Sequence, residues 1–149
     1  MNVALSELPD FNCLPGKEIC EHHKSGIVIA PSLTYMDQAF TDAKQYGWSK
    51  NPIVEMLIPS TVDSTLAPEG KHVASLFCQQ FAPTLPDNRS WHDEKDNAAN
   101  TIIETVNRFA PNFKNSILGM SILSPLDLEE KLGLIGCLLY TSPSPRDTA

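Results

Sequence analysis

Between Ser90 and Pro111 the apolar residues Ala99, Ile102, Ile103, Val106 and Phe109 recur at three- and four-residue spacing, and that stripe constrains everything else in the chain. A helix that is apolar along one side must bury that side, so a second apolar surface has to come from elsewhere in the sequence. The helix has clear ends. Ser90 suits the N-cap, Asp93 lies in the first turn where the helix dipole favours a carboxylate, and Ala110-Pro111 stops it.

Short β-branched or apolar runs offer the matching surface. Asn2 to Leu8, Gly26 to Ala30 (GIVIA), Ile53 to Ile58, His72 to Phe77 and Ser116 to Leu123 read as strands. Asn51-Pro52 is expected to break the chain before the third of these, and the turn-rich PSTVDSTLAPEGK connects the third to the fourth. A second helix starts at Ser32, carries Tyr35, Met36, Ala39, Phe40 and Ala43 along one side, and ends at Gly47. Ser124 and Pro125 suit the N-cap and first position of another. Strands and helices alternate without a strict repeat. The expected fold is α+β: a mixed β-sheet with helices packed on one face, in one domain at most for 149 residues.

Composition narrows the partners. The chain is 42% hydrophobic and 19% charged, within the globular range. Its net charge of −7, from 11 basic and 18 acidic residues, is spread over a solvated surface, and no basic cluster is present to neutralise phosphates. Nucleic acid is therefore not an expected partner. No apolar run approaches the roughly 20 residues of a membrane span. Cys13, Cys20, Cys78 and Cys137 form no CxxC pair and no signal peptide precedes them, which suits a reducing compartment.

Several residue groups invite a chemical reading. Cys13, Cys20, His22 and His23 are metal-ligand types, but adjacent histidines lack the usual C-x₂₋₄-C and H-x₃₋₅-H spacing, so residues 9–25 read as an exposed polar loop. Asp63, His72 and Ser75 are triad residue types, yet no G-x-S-x-G turn surrounds the serine, and His72 and Ser75 point to opposite faces of one strand. Cys78 continues that strand and reads as core. Tyr35, Phe40, Trp91 and Phe109 take packing roles, while His72 and His92 are placed at the surface. Neither G-x-G-x-x-G nor G-x-x-x-x-G-K-[ST] occurs. No catalytic, cofactor-binding or metal-ligating residue is assigned on these grounds.

The segments NVALSELPDF, IVEMLIPSTVDSTLAPEGKHVASLFCQQFAPTLPD, VNRFAPNFKNSILG and ILSPLDLEEKLGLIG resemble, in order and spacing, a stretch of the phytoene-dehydrogenase-like FAD-dependent oxidoreductase family. The most specific parts are PS-x-x-D-x-x-LAP-x-G from Pro59 to Gly70 and SPLDLE-x-x-x-GL from Ser124 to Leu134. The resemblance implies a two-domain flavoprotein with an amino-terminal βαβ unit for FAD, a carboxy-terminal segment completing the flavin site, and a substrate domain between them. Residues 1–136 would be the later part of that substrate domain, a fragment without the FAD motifs. The implied activity of the full-length parent is oxidation of an apolar small-molecule substrate with hydride passing to FAD. The implied location is the cytoplasm in a bacterium or the mitochondrion in a eukaryote. The competing reading is a stand-alone α+β interaction module without enzymatic activity.

From Cys137 the text changes to CLLYTSPSPRDTA, which has no periodicity. Read back through the genetic code, Cys137 to Asp147 matches the translation of a transposase sequencing adapter, so residues 137–149 are expected to be a read artefact without ordered structure.

Overall fold

The computed structural model describes residues 1–16 and 18–134, so the expectation for residues 137–149 lies outside the described residues. Strand β1 (Asn2–Leu5) opens the chain and is followed by a 3₁₀ turn at Glu21–Lys24 and a short strand β2 (Ile27–Ile29). Helix α1 (Leu33–Tyr46) leads into β3 (Trp48–Leu57), two 3₁₀ turns and β4 (His72–Phe81). The long helix α2 (Trp91–Phe109) runs into the single turn α3 (Phe113–Ser116), then β5 (Ile117–Ser121) and α4 (Pro125–Leu132).

The five strands form one sheet in the order β2-β3-β4-β1-β5, and all four ladders are antiparallel. The α+β class read from the sequence holds, with a sheet antiparallel throughout. Register explains the core. Val3 lies opposite Ala74, Leu76 opposite Met56, and Val54 opposite Ile29, so the two-residue period puts Val3, Leu5, Ala74, Leu76, Met56, Val54 and Ile29 on one face. Against that face α2 presses Ile102, Ile103 and Val106, all buried in the same cluster. The helical stripe and its strand counterpart thus meet as the sequence pattern requires.

The helix ends follow local chemistry. Ser32, Ser90 and Ser124 each accept a hydrogen bond from a backbone N–H of the first turn. Gly47 closes α1 with φ of 95°, and a Cβ there would come within 2.6 Å of a Leu85 methyl. Asn51-Pro52 does not break the chain: β3 runs from Trp48 through Pro52, with its pairing to β4 shifting register between Trp48 and Ile53. Proline lacks an N–H to give a ladder, and such an irregularity is where a strand tolerates it.

Helix α1 packs beside the first half of β3, burying Ala39 and Ala43, while Tyr35 donates its hydroxyl to the Pro52 carbonyl at 2.9 Å. Met36 and Phe40, read as part of its buried stripe, stay exposed. The reverse face of the sheet is also open. Val28, Leu57 and Phe77 alternate with the core positions and are 61%, 56% and 49% exposed, which leaves an apolar surface that nothing among the described residues covers.

Phe113 is fully buried where α3 closes the cluster. Replacing it with alanine removes the largest fully buried side chain, and Phe113→Ala should lower the unfolding free energy by about 3–5 kcal/mol, read from urea denaturation with an unchanged m-value.

Candidate functional site

An apolar cavity of about 640 Å³ opens between β4, the first half of α2 and the start of α4. Leu76 and Phe81 form its strand wall, Trp91, Ala99 and Ile102 its helix wall, and Leu128 closes the third side. Its size and greasy lining with a few polar groups are those of a small-molecule site. Trp91 is held in place because its indole N–H donates to the Ala82 carbonyl at 3.0 Å while its ring packs near Trp48 and Phe81.

Polar groups enter this wall at few points. Lys95 reaches the cavity from α2 and lies 3.4 Å from Asp127 of α4, bridging the two helices. Asp127 also accepts from Lys131 at 2.6 Å and from the amide and hydroxyl of Ser124. The Lys131 ammonium first, then the Ser124 amide, hold its carboxyl far below the usual carboxylate range. Gln80 also lines the cavity, with φ of 66°, a left-handed backbone that a long side chain rarely adopts. Of these, Ser124 and Asp127 belong to the SPLDLE segment read from the sequence, whereas Lys95 and Gln80 sit in no motif and were not singled out.

Cys78 faces the same cavity and packs against the core, as its strand position suggested. Burial pushes its thiol up to about 12, with Glu55 adding to the effect and the Met1 amine opposing it. A thiol at that value stays protonated and is a poor nucleophile near neutrality.

The triad residue types do not assemble. Asp63 caps the 3₁₀ turn Ser64–Leu66 by accepting from the Thr65 amide and hydroxyl. His72 is 3.4 Å from Ser60 rather than joined to Ser75, and Ser75 is exposed. Ser60, the serine of the PS-x-x-D segment, takes a role not read from the sequence: its hydroxyl accepts from the Val73 amide at 3.0 Å, pinning the PSTVDSTLAPEG connector to β4. His92 is exposed at the start of α2.

Residues 9–25 depart from the expected exposed loop. His23 is fully buried, its ring donating to the Pro9 carbonyl and accepting from the Cys20 amide, each at 3.1 Å. Phe11 and Leu8 are buried beside it, so an apolar anchor carries the loop inward. Burial, and then the neighbouring His23, lower the pKa of both His22 and His72 below the ordinary imidazole value.

A flavin does not fit the described residues as a βαβ unit would hold it. That unit needs a parallel strand pair and a glycine-rich turn at a helix N-terminus, whereas every ladder here is antiparallel and no such glycine turn occurs. No helix among the described residues is long and apolar enough to cross a membrane.

What the geometry defines is an antiparallel α+β scaffold that encloses an apolar cavity. No family model matches the chain. Two curated mammalian proteins are similar to it, both called pyridine nucleotide-disulfide oxidoreductase domain-containing protein 2. The one from Rattus norvegicus is 40% identical over 141 residues and the one from Mus musculus 39%, each match covering 91% of this chain. The chain spans 24% of the length of these relatives. Their name places those relatives among oxidoreductases.

Two outcomes follow from the site. In the folded chain at pH 8, iodoacetamide should modify the exposed Cys13 and Cys20 well before Cys78, which becomes reactive only on unfolding; peptide mapping by mass spectrometry reads the order. Asp127→Asn removes the carboxylate that caps α4 and bridges it to Lys95, and should destabilise the fold by about 1 kcal/mol at pH 7. Because the folded carboxyl is depressed, the wild-type advantage is present above the ordinary carboxylate value and is lost as pH falls below it, so the two proteins should converge in acid denaturation profiles.

Proposed function

We infer that the chain is part of an FAD-dependent oxidoreductase of the phytoene-dehydrogenase-like kind and supplies part of the domain that covers an apolar substrate. The observation that carries this reading is the 40% identity over 141 residues, 24% of the length of a longer protein that is called an oxidoreductase. The apolar cavity supports it, since hydride transfer from a C–H bond to flavin needs a dry pocket that orients the substrate. The uncovered apolar residues Val28, Phe40, Leu57 and Phe77 support it too, because surfaces of this kind are covered in a larger protein.

In this reading the chain's own residues bind and orient. Trp91, Phe81 and Ile102 exclude water, and Lys95, already neutralised by Asp127, brings a donor to the rim without leaving an unpaired charge in an apolar space. The flavin is held by parts of the protein outside this chain, and no step is assigned to a residue here. The compartment expected is the cytoplasm in a bacterium or the mitochondrion in a eukaryote.

The complete protein, expressed from its full reading frame, should purify with a flavin absorbance spectrum and release FAD on denaturation, while the 149-residue chain should retain none. A complete protein that carries no flavin and takes none up would overturn the reading. It would then favour the stand-alone interaction module, as would a reading frame no longer than this chain.

A further inference from the structure

We propose that Cys20, His22 and His23, at and just inside the start of the 3₁₀ turn Glu21–Lys24, form a zinc-binding site, with the Cys20 thiolate and one ring nitrogen each of His22 and His23 as ligands. The donor atoms of these three residues all lie within 4.8 Å of one another, although only Glu21 separates them in sequence. One sulfur and two imidazole nitrogens, with a fourth position left for water or an external ligand, are a donor set that divalent zinc takes. The site is independent of the flavoenzyme reading and shares no residue with the apolar cavity.

Three features make this more than proximity. First, Nε2 of His22 is the one buried side-chain nitrogen or oxygen among the described residues with no hydrogen-bond partner. A buried ring nitrogen without a partner costs free energy, and ligation to a cation would recover it. Second, the His23 ring is already oriented as metal-bound histidines are. The Cys20 amide donates to Nδ1, so the ring proton sits on Nε2 and is given to the Pro9 carbonyl. A metal at Nδ1 would replace the amide hydrogen bond, while the Pro9 carbonyl remains as the outer partner that fixes the ring. Third, the frame is firm. His23 is fully buried, and the His23 carbonyl accepts from the Thr61 hydroxyl at 3.0 Å, tying the turn to the connector after β3.

Bond lengths of about 2.3 Å to sulfur and 2.0 Å to nitrogen put tetrahedral donors roughly 3.3–3.5 Å apart, so separations of up to 4.8 Å must tighten by about 1 Å. Cys20 is exposed and can supply that movement by rotating its side chain. Glu21 does not compete, because its carboxylate is paired with Lys24 at 2.9 Å. Binding releases the thiol proton of Cys20 to solvent and changes no oxidation state.

The test is a titration of zinc chloride into the untagged 149-residue chain under reducing conditions, followed by calorimetry. One zinc per chain should bind with micromolar or tighter affinity, about −8 kcal/mol on the standard scale. Cys20→Ser and His22→Gln should each weaken it at least about tenfold, whereas Cys13→Ser should leave it unchanged. His23 is buried and its replacement would confound folding with ligation, so a second measurement stands in for it. Bound zinc should slow alkylation of Cys20 but not of Cys13 and raise the melting temperature of the wild type but not of Cys20→Ser. Millimolar or absent binding, or binding that survives both Cys20→Ser and His22→Gln, overturns the proposal.

Discussion

Everything else in the structure depends on four residues at the start of the chain. Strand β1 lies inside the sheet, between β4 and β5, and contributes Val3 and Leu5 to the core. Without it β5 has no neighbour, and the face that α2 covers loses its centre. The segment that follows is fastened to the far end of the chain: Ser6 donates to the Ser116 carbonyl, Asn12 to that of Phe109, and Asn112 bridges the Asp10 amide and the Leu8 carbonyl. These contacts join residues about a hundred positions apart, so the ordering entropy of the intervening chain is offset only when the whole sheet forms. A fold built this way is expected to be cooperative, because none of its long-range ladders is stable alone.

The two faces of that sheet have unequal fates, and the inequality is physical. The core face matches α2 residue for residue because the strand period of two and the helix period of 3.6 both present an apolar stripe of similar width. On the reverse face Glu55 and Gln79 are hydrogen-bonded across β3 and β4, and beside them Phe77, Leu57 and Val28 stay open. Similar exposure on α1 at Leu33 and Phe40 gives the molecule a second apolar side. An apolar area of that kind is costly to leave in water.

Much of this was legible in the sequence because it rests on local rules. Ser32, Ser90 and Ser124 cap their helices, Gly47 takes the left-handed turn, and the five apolar runs became the five strands. What escaped reading depends on neighbours distant in sequence. Pro52 looks like a breaker until the register shift opposite it is known. Met36 and Phe40 fit a buried stripe by spacing, yet in α1 only Ala39 and Ala43 are covered by the sheet. The cavity could not be foreseen, because Lys95 and Gln80 meet Leu128 only through the crossing of α2, β4 and α4. His23 reads as a loop residue by its neighbours Pro15 and Gly16, and is buried because Leu8, Pro9 and Phe11 pull the segment inward.

That last case bears on how ligand spacing should be read. The rules that discount adjacent histidines assume helices or knuckles, where neighbouring side chains diverge. Here Cys20 is the N-cap residue before the 3₁₀ turn, in extended backbone, and its amide donates to Nδ1 of His23, while the His22 ring lies 42° from that of His23 at a centroid distance of 3.9 Å. This local capping geometry, and not a helical spacing, brings the three donors together. Because the turn is anchored through Pro9 and Thr61 while the cavity is framed by β4, α2 and α4, the two sites stand on different supports. Loss of metal at one would leave the apolar wall of the other in place, and the two functions can be judged separately.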